Sequence, residues 1–166
     1  MTRDLLLIDI ATKAPAWDKA PFDATAVARR ATRMAWGSAG NTARESEVSI
    51  VLGDDGFVQD LNRTYRGQDR PTNVLSFPAD GENGPGDAAC LLGDIVLAYE
   101  TIAREAGEQE KSLPDHLSHL CVHGLLHLLG HDHQTQADAR KMEALEISIL
   151  AELGIADPFT IPAQEA

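Results

Sequence analysis

The sequence predicts a single α+β domain, residues 1–166, built on a small mixed β-sheet of about four strands packed by helices. Three observations predict it. Short strand-like apolar runs occur four times, and most of the segments between them carry helical apolar spacing. No internal repeat or break in composition divides the chain. Apolar residues make up 43% and charged residues 24%, which provides a core that needs no metal in order to fold.

Leu5 to Ile10 reads as the first strand, and Pro21 stands near the start of a helical pattern through Val27, Met34 and Trp36 that Gly37 is expected to close. Val48 to Leu52 is the second strand. A turn at Asp54, Asp55 and Gly56 leads to a short helix from about Phe57 to Tyr65. Val74 to Phe77 is a short strand stopped by Pro78. Ala79 to Ala88, with three glycines, one proline and three acids, reads as a surface loop. Leu92 to Ala98 is the fourth strand, with a start weakened by Gly93 and Asp94, and Tyr99 to Ala106 is helical. A helix then runs from near Ser112 to Leu129, with Pro114 in its first turn and Gly130 as its stop. Met142, Leu145, Ile149 and Leu153 mark a last helix, Ala137 to Leu153, before a tail (158–166) expected to fray.

Net charge is −12, distributed as −1 over residues 1–80 and −11 over residues 81–166. Such a chain is unsuited to coating nucleic acid non-specifically, and any phosphate contact has to come from arginines of the first half. Arg63, Arg66 and Arg70 fall within eight residues beside Tyr65, a candidate base-stacking ring, and Arg29, Arg30 and Arg33 form a second basic group on a helix. The N-terminus has an apolar run of only four residues, too short for a signal segment or membrane span, so a cytoplasmic protein is expected. Cys90 and Cys121 then read as free thiols.

All six histidines, His116, His119, His123, His127, His131 and His133, fall within eighteen residues. Neutral imidazole is a ligand for first-row metals, and the clustering points to one transition-metal ion, zinc foremost. His123 and His127 lie four apart, on one face of the helix and about 6 Å apart along its axis. His119 and His127 are about 12 Å apart, too far for three consecutive histidines of a straight helix to surround one ion. A third ligand has to come from chain that turns back, and Gly130 permits that turn, bringing in His131 or His133. Three nitrogens leave one position open, the mark of a catalytic site; a fourth histidine ligand would mark a structural one. His116 and His119 read either as cleft-lining groups or as solvent-facing ones, and Asp132 as an orienting carboxylate, a cap of the last helix, or an exposed side chain. The spacing matches a zincin-like helix, yet Gly124 stands where the metzincin proteases carry their general-base glutamate, and no methionine turn follows.

The segment His123-Gly-Leu-Leu-His127-Leu-Leu-Gly130-His131-Asp132-His133 and the upstream Asn62-Arg-Thr-Tyr65-Arg66-Gly-Gln68-Asp69-Arg70-Pro71-Thr72-Asn73-Val-Leu-Ser76-Phe77-Pro78 closely resemble the YbeY family, and Leu92-Gly-Asp-Ile-Val96 is similar to a third segment of it. The resemblance implies a zinc-dependent, single-strand-specific endoribonuclease that matures ribosomal RNA, notably the 3′ end of the small-subunit RNA, and acts in ribosome quality control. It implies one Zn2+ held by His123, His127 and His133, with Arg66 as the catalytic arginine. Implied partners are an rRNA precursor, the small ribosomal subunit and assembly factors, with neither membrane nor DNA. Gln68 departs from a common lysine and His131 from an expected aromatic, which makes His131 a competitor of His133. The rival functions are a zinc peptidase or amidase, and an assembly module with structural zinc.

Overall fold

The computed structural model describes residues 5–40, 44–79 and 90–159. Among these residues four strands form one mixed sheet in the order β1-β2-β4-β3, with β1 (Leu6–Thr12), β2 (Ser46–Gly53), β3 (Val74–Pro78) and β4 (Cys90–Ala98). β1 and β2 are parallel, β2 and β4 are parallel, and β3 runs antiparallel to β4. This is the mixed α+β sheet the sequence predicts.

Among the described residues six helices pack around it: α1 (Pro15–Lys19), α2 (Ala24–Ala39), α3 (Asp55–Arg66), α4 (Tyr99–Glu108), α5 (Leu113–Leu128) and α6 (Gln136–Glu152). One core combines Leu6, Ile8, Val48, Ile50, Leu52, Ile95 and Leu97 of the sheet with apolar residues of α2, α5 and α6. A smaller cluster joins Val58 of α3 to Leu75, Val96 and Ala98. The sheet is therefore covered by helices through two separate apolar clusters.

Three expectations need correction. The unanticipated α1 starts with Pro at its first position and buries Trp17, whose Nε1–H donates to the Gly53 carbonyl at 2.8 Å. α2 continues past Gly37 to Ala39 because packing of Ala35 and Trp36 outweighs a glycine's local cost, and Gly40 closes it by donating to the Trp36 carbonyl. α3 begins at Asp55 rather than Phe57, since the Asp54 carboxylate caps the Phe57 N–H at 2.8 Å and draws Gly56 into the first turn. The expected loop Ala79 to Ala88 lies outside the described residues except for Ala79. Of the expected tail, Pro158 accepts from Lys111 Nζ at 3.0 Å and the Phe159 ring meets His119 edge-on. Residues 160–166 are outside the described residues. Among the described residues no helix is long and apolar enough to cross a membrane.

Candidate metal centre

α5 is capped at Ser112, which accepts from the Asp115 N–H, and has Pro114 in its first turn, where no intrahelical donor is needed. Its far end is a Schellman turn: the His131 N–H donates to the Leu126 carbonyl at 3.0 Å, and the Gly130 N–H to the His127 carbonyl at 3.0 Å. Gly130 adopts φ +101, a conformation L side chains rarely enter. The chain therefore doubles back at this glycine and carries His133 toward the helix face. Asp132 accepts the Gln134 N–H within the returning loop, while Thr135 caps α6 by accepting from Asp138.

The ligand-capable nitrogens of His123, His127 and His133 lie within 4.8 Å of one another. Ring centroids are 5.1 Å apart for His123 and His127, 5.2 Å for His123 and His133, and 5.7 Å for His127 and His133. Tetrahedral zinc with bonds of ~2.0–2.1 Å separates its ligand nitrogens by about 3.3 Å, so small side-chain rotations would close this triad on one ion. Burial, then the neighbouring His123 and His133, hold His127 below the usual imidazole pKa, favouring the neutral ligating form. The donor set thus fits a borderline metal such as zinc. His131 and His119 are not part of the group.

His119 and His123 share a carboxylate that the sequence reading missed. Glu146 of α6, 1% exposed, accepts from His119 Nε2 at 2.6 Å through one oxygen and from His123 Nδ1 at 2.9 Å through the other. Burial works to raise its pKa, but these two hydrogen bonds prevail and bring it to about 2. His116, also buried, bonds Glu105 at 2.9 Å through Nε2, and Glu105 accepts from the Asn73 amide as well. Neither His116 nor His119 faces solvent. Both line a cavity of about 350 Å³ that also reaches His123 and His133. The signal for Glu146 was present in the sequence: with Met142, Leu145 and Ile149 it occupies one helical stripe, where a carboxylate is out of place among apolar residues.

Arg66, at the end of α3, donates to the Ser76 carbonyl at 2.8 Å, and Ser76 Oγ donates to the Gly124 carbonyl, between His123 and His127. The guanidinium stands 5.3 Å from the centre of the Phe77 ring. Arg63 pairs with Asp60 and Asp69, and Arg70 bonds Gln68; among the described residues Arg66 alone of the three has neither a carboxylate nor another side-chain oxygen as partner. A cleft of about 750 Å³ opens beside it, with Tyr65, 69% exposed, and Phe77 in edge contact at 5.7 Å. Arg29 and Arg33 are spent on the carbonyls of Ile8 and Leu6, so these two of that basic group serve the fold. Cys121 is fully buried, which pushes its thiol up to about 12, and both cysteines are free as expected.

Gly124, where metzincins carry glutamate, packs against the sheet. A Cβ there would lie 2.9 Å from Ile95 Cγ2 and 3.3 Å from two further atoms of that side chain. A carboxylate-bearing side chain has no room at this position.

A family model described as Endoribonuclease YbeY matches residues 15–154. Proteins named Endoribonuclease YbeY from Bradyrhizobium diazoefficiens and Methylocella silvestris are 49% and 51% identical, each aligned over 94% of this chain and over 86% and 87% of their own lengths. A solution structure from Thermotoga maritima superposes with a TM-score of 0.55 at 22% identity, covering 96% of this chain and all of that one. That last likeness is one of fold.

Proposed function

This chain belongs to the YbeY endoribonuclease family, and from that membership we propose that it is a zinc-dependent endoribonuclease cutting single-stranded RNA. Its place is in ribosomal RNA processing at the small-subunit 3′ end and in ribosome quality control. The observation that carries the reading is the convergence of His123, His127 and His133, whose ligand nitrogens lie within 4.8 Å of one another at the end of α5, the helix whose Gly124 carbonyl is linked through Ser76 to the arm holding Arg66. One Zn2+ held by these histidines supplies, when bound, Lewis acidity toward a phosphoryl oxygen or a water molecule.

The chain's own residues do the rest. Arg66 is the catalytic arginine: its planar fork meets two phosphate oxygens as negative charge builds at phosphorus, and the Ser76 carbonyl and Phe77 ring hold that fork in place. Tyr65, exposed beside it, offers a face on which an unpaired base stacks. Arg63 and Arg70, already engaged, set the loop rather than the phosphate. The partners are rRNA precursors, the small subunit and assembly factors, in the cytoplasm.

The test offers zinc-loaded protein labelled single-stranded RNA, duplex RNA and an unstructured protein. Cutting of the single strand alone, lost in His123→Ala from the same purification and in Arg66→Ala with metal retained, supports the proposal. Cleavage of the protein would favour a peptidase. Zinc retention with RNA binding but no cutting would favour an assembly module.

A further inference from the structure

We infer that Glu146 is a positioning residue for the metal centre, presenting His123 in one tautomer and fastening the returning loop that carries His133. The inference rests on the reading of His123, His127 and His133 as ligands. Each carboxylate oxygen takes one imidazole N–H, so neither ring is free to turn without leaving a buried oxygen unpaired. With Nδ1–H committed to Glu146, the lone pair of His123 lies on Nε2, the nitrogen left for an ion. Ligand and carboxylate come from different helices, and that is the second half of the argument.

α6 starts at Gln136, three residues after His133, and Glu146 lies nearly three turns along it. Its two hydrogen bonds return to α5, one of them on His123 and the other a turn earlier on His119. The α5–loop–α6 hairpin is thereby closed by a polar tie across the segment that delivers the third histidine. Apolar contact between the helices tolerates sliding; two directional bonds to one carboxylate do not. Met142 and Ile149, on the same stripe, are 0% and 1% exposed, so an apolar side chain would serve packing at this position. Packing alone does not account for an acid here.

Zinc affinity is measured by chelator competition for the wild type, Glu146→Gln and Glu105→Gln, with melting of the metal-free forms followed separately. Glutamine keeps the volume but accepts through one oxygen only, so Glu146→Gln is expected to bind zinc about 10–100-fold more weakly. Glu105→Gln breaks the other carboxylate–histidine pair of α5, and is expected to leave zinc affinity unchanged. If the wild type binds no zinc, the metal reading falls. If the wild type and Glu146→Gln bind equally, the role assigned to Glu146 falls while the metal reading stands. Nitrogen-15 spectra of the metal-free wild type add a readout that needs no variant: His123 is expected as the Nδ1–H tautomer, and an Nε2–H tautomer overturns the inference.

Discussion

Arg66 illustrates how neighbours decide the use of a charge. Three arginines sit within eight residues, and the two that find oxygen partners on nearby side chains have their forks occupied. Arg66 spends one N–H on the Ser76 carbonyl, and on the proposed reading the remainder meets the phosphate. Removing such a donor costs two to three orders of magnitude in turnover, about 3–4 kcal/mol of transition-state stabilisation. Arg66→Ala is therefore expected to lose that much in single-turnover RNA cleavage while retaining zinc. Arg66→Lys is expected to recover little, because an ammonium keeps the charge but cannot hold the Ser76 carbonyl and two phosphate oxygens with one planar fork. Near-wild-type cleavage by the lysine variant would reduce Arg66 to a point charge. The motif singles out Arg66 as the candidate, but the partners that set it apart from Arg63 and Arg70 were not legible there. That reason depends on partners that only the folded loop supplies.

Among the elements, the α5 terminus was the most legible, because every part of it is local. Spacing of four along a helix, a glycine and a histidine three residues beyond are all contained in eleven consecutive residues, and the structure brings the three imidazoles together. Glu146 and Glu105 were not legible as partners, since they lie 23 and 11 residues from the histidines they bind and nothing periodic links them. α1 was missed for a related reason: five residues show no helical period, and the helix is held by the burial of Trp17. The Schellman turn carries its own prediction. Gly130 has open space where a Cβ would go, so Gly130→Ala meets no clash and its penalty is the positive φ alone, about 1–2 kcal/mol. A chain that relieves this strain must move His133. Gly130→Ala is expected to show both a lower unfolding midpoint and weaker zinc binding. A stability loss with unchanged zinc affinity would mean that the loop holds His133 independently of the helix end.

At the scale of the whole molecule, the fold brings together what the sequence keeps apart. The histidine helix belongs to the half carrying −11, and the arginine arm to the nearly neutral half. β3, antiparallel to β4 at the edge of the sheet, brings the arm beside α5. Asn73, just ahead of β3, Glu105 of α4 and His116 of α5 lock this junction from the other side. Burial of Glu105 works to raise its pKa, but the hydrogen bonds from His116 and Asn73, with the charges of His116 and Arg104, bring it below the usual 4.5. The sign of the linkage follows. A carboxylate whose folded pKa lies below its unfolded value binds more protons unfolded than folded, so its stabilisation is complete above about pH 4.5 and is lost as pH falls through the folded value. Urea unfolding of the wild type and Glu105→Gln at pH 7 and pH 4 reads this directly. The wild type is expected to be the more stable at pH 7, by an amount that shrinks at pH 4 as its own carboxylate protonates and comes to resemble the amide. A gap that holds constant between the two would locate the worth of Glu105 in packing rather than in its charge, and the junction between arginine arm and histidine helix would then rest on the Ser76–Gly124 hydrogen bond and on packing.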